Sequence, residues 1–272
     1  MIIDIDMAYS FIARRDPSLY LLFHGGFNHS FFGATILSFI AFGITLILST
    51  SGLIPAPMMG AIVIPAIAAV LAGAYLHVFL DYLAAPGLPL LYPLTEKRFG
   101  LSLFPMPVYF LSTLLALVSL GSIFVWGLSP ELVMVYGVIF NGIIIVSLGM
   151  KRVVYQRTHG RSYPTFHLFQ WIVIREEDAS YSVMFYDIFR GMIRELSFEK
   201  YRDITPSDAH RYDNLPEVRR HRYFSYINTV EKNGSGITFR DPVRDEGLIS
   251  YPPWYPSVTV NSGEATPSVG DK

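Results

Sequence analysis

Long apolar segments fill the first part of the chain and predict membrane-spanning helices. Crossing the hydrocarbon core of a bilayer, roughly 30 Å thick, takes about 20 mostly apolar residues. No Asp, Glu, Lys or Arg occurs between Asp16 and Asp81, and Glu131 is the only one in residues 99–150. Such segments favour a polytopic α-helical membrane domain over a soluble bundle of buried helices. We predict about four transmembrane helices in residues 31–150, at 31–50, 57–80, 104–126 and 131–150.

The rest of the chain is polar and has short β and α patterns. The run WIVIREEDASYSVMFYDIF alternates in two β-rich halves around EEDAS, which predicts a hairpin. A helix is predicted to begin at Ser207 or Asp208, and NLPEVRRHRYF predicts a second one. INTVEKNGSGITF reads as strand, Asn-Gly turn and strand. We expect a small C-terminal α+β domain in residues 151–255, and a disordered tail in residues 256–272, which lack apolar periodicity.

Basic residues beside the spans predict the orientation of the chain. The two turns on the opposite side, 50–56 and 127–130, hold no Lys or Arg. The positive-inside rule makes the basic side cytoplasmic, so we expect a multi-pass protein of the cell (inner or plasma) membrane with both termini in the cytoplasm. The start, MIIDIDMAYS, is acidic and unlike a signal peptide. The basic residues of that side are Arg14, Arg15, Lys97, Arg98, Lys151, Arg152, Arg157 and Arg161.

Composition excludes several classes of function. Charged residues make up 16% of the chain, and its mean hydropathy of +0.38 fits a membrane protein. The net charge of −1 shows no basic excess that would indicate nucleic acid as a partner. The chain has no cysteine, which excludes disulfides, thiolate ligands and Cys nucleophiles. The sequence holds neither a phosphate-binding G-x-x-x-x-G-K-[ST] loop nor a G-x-S-x-G nucleophile motif.

Ligand-type side chains are predicted to meet at the cytoplasmic ends of the first two spans. His77 and Asp81 are four residues apart near the end of the second span, so they share one helix face. Ionisable residues at a membrane boundary are costly and indicate function. Imidazoles with carboxylates suit zinc, manganese or iron. The alternative is structural: packing or capping by His29, and a hydrogen bond between His77 and Asp81. The predicted ligands are His24, His29, His77 and Asp81, with Asp4 or Asp6 as a further ligand or general base.

The order of these motifs is similar to that of a known family. DID, then HGGFNHS, then GAYLHVFLDYLAAPGLPLLYPLTEKRFG resembles the predicted membrane-bound metal-dependent hydrolases, also described as LexA-binding, inner-membrane-associated, YdjM-like hydrolases. Their typical elements are P-D-x-D, H-R-G-x-T-H-S, S-H-x-x-x-D and a loop like G-V-P-L-L-W-P-F-S-x-R-R. The resemblance covers residues 1–105, and more loosely the tail. Gly25 and Asn28 depart from the second element, where Asn28 is expected to cap the helix.

The resemblance implies a membrane-embedded metal-dependent hydrolase. A divalent metal, zinc before manganese or iron, would activate water against a phosphoester or lipid-like substrate at the cytoplasmic face. Family members usually carry a further leading helix with a Thr-His pair, so we expect one ligand and a fifth span to be missing here. Tyr92, Lys97 and Arg98, in the loop 84–103, would hold an anionic phosphate or, alternatively, anchor the topology.

Two other classes of function remain open on the sequence alone. The first is a non-catalytic membrane anchor with structural histidines, whose tail binds a protein that the sequence does not identify. The second is a small-solute transporter. It is less favoured, because the spans have few ionisable groups near their middle and show no inverted repeat.

Overall fold

A computed structural model describes residues 3–53, 63–105, 121–122, 125, 127 and 129–261. The chain forms two compact units, one of Met1–Leu101, Ser207–Phe224 and Asn261–Lys272, the other of Ser102–Pro206 and Ser225–Val260. This division differs from the predicted boundary at residue 151. A helical segment of the predicted C-terminal domain belongs to the first unit, because its aromatic side chains pack on the N-terminal segment.

In the described residues, the first part of the chain is helical, and the part after the long helix α4 contains both strands and short helices. Short 3-10 helices at Ile3–Ile5, Pro17–Leu22 and Phe27–His29 lie among the first α-helices. The α-helices are α1 Asp6–Arg15, α2 Phe31–Thr50, α3 Val63–Leu83, α4 Pro130–Thr158, α5 Pro206–His210, α6 Pro216–Phe224 and α7 Pro242–Asp245. The strands are β1 Arg161–Pro164, β2 Gln170–Glu176, β3 Ser180–Asp187, β4 Gly191–Glu199, β5 Tyr201–Arg202, β6 Thr229–Asn233, β7 Gly236–Arg240 and β8 Ser257–Asn261.

Three of these helices are candidate membrane spans by length and apolar composition: α2, α3 and α4. The helix α2 begins where predicted, because Ser30 caps it by accepting a hydrogen bond from the Gly33 N–H at 2.9 Å. The helix α4 has 29 residues and continues past the predicted end of its span at residue 150. Most of the predicted span 104–126 lies outside the described residues, as do residues 57–62 of the second span.

In the first unit, α2 and α3 pack together and the loop after α3 folds over their ends. A buried apolar cluster joins these elements to the N-terminal segment; it consists of Ile3, Ala34, Ala74, Val78 and Leu88. Within the loop, Leu88 and Phe99 exchange backbone hydrogen bonds of 2.8 and 2.7 Å. The Phe31 N–H donates to the Leu90 carbonyl at 3.0 Å, which ties the loop to the start of α2.

The second unit contains two four-stranded sheets, ordered β1-β2-β3-β4 and β5-β6-β7-β8. The predicted hairpin around EEDAS is the antiparallel pair β2–β3, and the Asn-Gly hairpin is β6–β7. The prediction of disorder for residues 256–272 is wrong for Ser257–Asn261, which form β8. Val260 is buried there, and the hydroxyls of Thr238 and Thr259 lie 3.0 Å apart. Residues 262–272 lie outside the described part of the chain.

Candidate metal centre

All six of the predicted ligand and base residues meet in the first unit, at one end of α2 and α3. Two come from the first turns of the chain, two from the segment before α2, and two from the last turns of α3. Each has a side-chain atom within 4 Å of a side chain of the opposite type in the same group. We call this group the His/Asp cluster; its members are Asp4, Asp6, His24, His29, His77 and Asp81.

Four atoms of the cluster form an inner ring in which nitrogen and oxygen alternate. The Nε2 atom of His29 lies 3.5 Å from Asp4 Oδ1 and 3.3 Å from Asp81 Oδ2. The Nε2 atom of His77 lies 3.2 Å from the same Asp4 oxygen and 3.3 Å from the same Asp81 oxygen. Ligands placed tetrahedrally at about 2.0–2.2 Å from an ion are about 3.3–3.6 Å apart. The four N–O separations of the ring therefore match the spacing of neighbouring ligands around an ion, and His29, His77 and Asp81 together form one group with metal-ligand spacing.

The inner nitrogens lie close to carboxylate oxygens without forming hydrogen bonds of good geometry. His29 Nε2 and His77 Nε2 are buried, and within the described residues neither has a hydrogen-bond partner of good geometry. A buried polar atom without a partner is costly, although carboxylate oxygens lie close by. This arrangement fits lone pairs that converge on an ion, and the donor set of two imidazoles and carboxylates is one that zinc, manganese or iron accepts.

Asp6 and His24 form the outer part of the cluster. Asp6 is buried, and its Oδ1 atom lies 3.1 Å from His24 Nδ1 while its Oδ2 atom lies 3.3 Å from His29 Nδ1. A carboxylate that hydrogen-bonds an imidazole fixes the ring orientation and tautomer; Asp6 does this for His24, whereas its contact with His29 Nδ1 lacks good hydrogen-bond geometry. His24 Nδ1 is 3.9 Å from Asp4 Oδ1, so His24 adjoins the inner ring through Asp4. Asp4, His24 and His29 also make a group with metal-ligand spacing.

The segment before α2 is folded tightly enough to aim His29 inwards. His29 is fully buried at the end of the 3-10 helix Phe27–His29. Gly33, in the first turn of α2, allows the close approach, because a Cβ atom there would lie 2.1 Å from the Phe27 carbonyl oxygen. Any larger residue at position 33 would push this turn, and the His29 ring with it, out of place.

Asn28 ties the two halves of the cluster together, a role that the sequence did not reveal. Its Nδ2 atom donates to the Ile3 carbonyl at 2.9 Å, and its Oδ1 atom accepts a hydrogen bond from the Tyr9 hydroxyl at 2.6 Å. It does not cap α2 as predicted, because Ser30 occupies that position. The only sequence feature that indicates this role is the amide side chain of Asn28, between the two histidines of HGGFNHS.

The charges of the cluster act strongly on one another. Burial alone would raise the pKa of Asp4, but contacts with His29 and His77 lower it below its usual value. Asp6 behaves in the same way, with burial opposed by His24 and His29, and its pKa is lowered. For His29 burial lowers the pKa, yet the carboxylates around it raise the pKa well above the usual value. The cluster thus demands positive charge, which a divalent cation supplies.

The predicted substrate-binding residues lie in the loop after α3, where they have other contacts. The Arg98 guanidinium donates to the Gly87 carbonyl at 3.0 Å and lies over the Tyr223 ring at 5.2 Å. Lys97 is exposed, with its ammonium 5.9 Å from the centre of the Phe99 ring. Arg98 thus stabilises the loop, and Lys97 keeps an exposed charge.

Tyr92 lines a cavity of about 240 Å³ together with Tyr20, Glu96 and Arg219. Arg219 lies 3.5 Å from the Glu96 carboxylate, which also accepts a hydrogen bond from the Tyr20 hydroxyl. Burial and the Glu96 carboxylate raise the pKa of Tyr20 to about 12. Because Glu96 offsets the charge of Arg219, the cavity is not a strong site for anions.

The comparison with known protein families matches the part of the chain that contains the His/Asp cluster. The model of the YdjM inner membrane protein family matches residues 1–154, which include the whole His/Asp cluster and the three candidate spans up to the last turn of α4. A search of curated proteins gives no match, and a search of solved structures gives none.

Proposed function

The chain belongs to the YdjM inner membrane protein family, and we propose that it is a membrane-embedded hydrolase that depends on a divalent metal ion. One observation carries this proposal. Two buried imidazole nitrogens, on His29 and His77, lack hydrogen-bond partners in the described part of the chain and face the same two carboxylates at 3.2–3.5 Å. Zinc is the first candidate for the ion, because it accepts such ligands at short distances.

We assign a different role to each residue of the cluster. His29, His77 and Asp81 would hold the ion, as a set of two histidines and one carboxylate. The bound ion would act as a Lewis acid and would convert water into a nucleophile near neutral pH. Asp4 is the most exposed of the inner residues, so its carboxylate is placed to complete the ligand set or to accept the proton of that water. Asp6 would hold His24 in orientation through a hydrogen bond and would support His29 through a contact of 3.3 Å.

The position of the cluster supports a substrate that is reached at the membrane surface. It lies at one end of two apolar helices, so a substrate with a polar phosphoester group at membrane-surface depth can reach it. We assign this end to the cytoplasmic face because Arg14, Arg15, Lys97 and Arg98 flank it. Lys97, rather than Arg98, has the free charge to attract an anionic phosphate.

Metal content and activity of the purified protein test this proposal together. Wild type in detergent should retain one zinc ion per chain, whereas His77→Ala and Asp81→Asn should lose it. His210→Ala is the matched control, because His210 is exposed and paired with Asp213 at 2.9 Å, away from the cluster. Hydrolysis of a lipid phosphomonoester, followed as released phosphate, or of a chromogenic phosphoester, followed as released chromophore, should follow the metal content. A wild type without metal, or a His77→Ala variant with full content, would overturn the proposal.

A closed structural site is the second candidate. Asp4 lies beside the His29–His77–Asp81 group and would close it as a fourth ligand, and structural zinc sites are closed by four protein ligands. In that case the ion would tie the N-terminal segment to α3 in a membrane anchor without catalysis. Full metal content, a large loss of thermal stability on chelation, and no hydrolysis of any phosphoester would favour this reading over the hydrolase.

A further inference from the structure

Two loops at one end of the β1–β4 sheet expose large apolar side chains. The β1–β2 loop carries Phe166 and Leu168, which are 70% and 71% exposed, and the β3–β4 turn carries Phe189, which is 75% exposed. Phe169 joins the loops, because its ring centre lies 4.9 Å from that of Phe189. Met192 continues the patch on β4. A contiguous apolar patch on a protein surface marks a place where a partner or a membrane binds.

The register of the sheet explains why both loops lie together. Gln170 at the start of β2 pairs with Asp187 at the end of β3, so the loop before β2 and the turn after β3 share one end. The β2–β3 turn lies at the other end, where Glu177, Asp178 and Ala179 are exposed and Lys200 pairs with Glu176 at 3.0 Å. A strand of this length spans roughly 20–25 Å. The same sheet therefore has an apolar end and a charged end.

The apolar tips are ordered by hydrogen bonds of their own. The Asp187 carboxylate accepts the backbone N–H groups of Phe189 and Arg190, both at 2.9 Å, which fixes the turn with Phe189 at its tip. In the other loop the Thr165 hydroxyl donates to the Gln170 carbonyl at 3.0 Å. The apolar side chains are therefore held outwards by defined turns.

The apolar end of the sheet lies beside the point where α4 leaves its predicted span. Met150 is the last residue of that span, and it packs with Ile188 against a buried cluster that includes Val154 and Trp171. The Arg157 guanidinium donates to the Ile188 carbonyl at 2.9 Å. From residue 150 to 157 the helix rises about 10 Å, which is close to the depth of one headgroup layer, roughly 5–8 Å.

The chain turns back at the end of α4, which orients the sheet. His159 ends the helix in a left-handed conformation with φ 53°, and β1 begins at Arg161. Arg175, at the far end of β2, donates to the Thr158 carbonyl at 2.6 Å. The end of the sheet away from the apolar loops thus lies at the tip of α4, and the apolar loops lie towards Met150.

We propose that residues 166–169 and Phe189 insert into the lipid headgroup layer on the side of the membrane where α4 ends. The bilayer that covers α4 reaches the patch directly, because Met150 and Ile188 share one apolar cluster. Arg190, exposed beside Phe189, can extend to lipid phosphates while its alkyl stem stays with the apolar tip. The loops thus fix the sheet against the membrane surface.

The absence of cysteine from the chain allows a direct test with single spin labels. Leu168→Cys and Phe189→Cys report the two loops in lipid vesicles. Asp178→Cys is the matched control at the charged end of the same sheet, and Val138→Cys reports the exposed apolar surface of α4. For each label we compare its collision rate with oxygen, which dissolves in lipid, to its collision rate with a water-soluble nickel chelate. We expect this ratio to be several-fold higher for labels 168 and 189 than for label 178. Labels 168 and 189 that behave like label 178 would overturn the proposal.

Two further readouts separate lipid from protein as the partner. If labels 168 and 189 face water in pure lipid vesicles but are protected in native membranes, a protein covers the patch and the proposal fails. Oxidative footprinting of the unlabelled chain in lipid nanodiscs checks for disturbance by the label. Slow oxidation of Phe166 and Phe189 supports insertion, and fast oxidation typical of side chains in water contradicts it.

Discussion

The substitution Asp6→Asn tests whether the outer carboxylate orients the histidines of the cluster. Asp6 is 1% exposed, and its two oxygens lie 3.1 Å from His24 Nδ1 and 3.3 Å from His29 Nδ1. Asparagine has the same shape but only one acceptor oxygen. One of the two imidazoles therefore faces an N–H group instead of an acceptor, and its ring loses the orientation that aims it at its neighbours.

The expected loss of zinc affinity follows from this geometry. Partners behind ligating histidines contribute about 10- to 100-fold to metal affinity, which corresponds to about 1.4–2.7 kcal/mol. Because Asp6 contacts two histidines, we expect a loss near the upper end of that range. Asp6 also lies in the first turn of α1, so loss of its charge costs about 0.3–1 kcal/mol of helix stability. That second effect changes unfolding and leaves the metal affinity unaltered.

Competition with a chromophoric chelator measures the zinc Kd of the purified protein. Asp16→Asn is the control, because Asp16 is an exposed carboxylate whose partner is Ser18, at 2.9 Å from the backbone N–H and 2.6 Å from the hydroxyl. We expect weaker binding for Asp6→Asn and wild-type binding for Asp16→Asn. An unchanged Kd for Asp6→Asn would refute the orienting role, and equal losses in both variants would point to a general effect of charge.

Three shorter predictions follow. His24→Ala should weaken zinc binding without changing its stoichiometry in calorimetric titration, since His24 Nδ1 bonds Asp6; a lost ion would make His24 a ligand. Asn28→Ala leaves the Tyr9 hydroxyl and the Ile3 carbonyl without their partner and should lower the free energy of unfolding by about 1–3 kcal/mol; Tyr9→Phe, which removes only one of these two hydrogen bonds, should lose less. Gly160→Ala places a Cβ 2.5 Å from Val173 Cγ1, so overpacking should cost about 1–3 kcal/mol; an unchanged melting temperature contradicts this.

The meeting of the histidines could be predicted from sequence because span topology sets the depth of residues far apart in the chain. His29 lies just before the first span and His77 lies near the end of the second. Because the two spans are antiparallel, both residues reach the same side of the membrane. The i, i+4 spacing of His77 and Asp81 then places both on one side of α3. Charge-free segments and the Asn-Gly turn are equally local signals; three of the four predicted spans and both predicted hairpins have counterparts in the described residues, and most of the span 104–126 lies outside them.

The division of roles within the cluster could not be predicted, because it depends on side-chain geometry at the scale of one ångström. Asp4 and Asp6 were equivalent in sequence, yet Asp4 lies in the inner ring and Asp6 behind it. The packing of α6 on the first unit was also missed, since the ring contact of Tyr20 with Tyr223 at 5.1 Å joins residues far apart in the chain. Local periodicity carries no information about such contacts.

X-ray absorption spectroscopy of the zinc-loaded protein shows directly whether His29 and His77 bind the ion. We expect nitrogen and oxygen ligands at about 2.0–2.1 Å, with outer-shell scattering from two imidazoles that falls by half in His77→Ala or is lost with the metal. A shell of oxygen alone, without imidazole scattering, or a wild-type spectrum that His77→Ala leaves unchanged, would contradict the assignment of the His/Asp cluster as a metal centre.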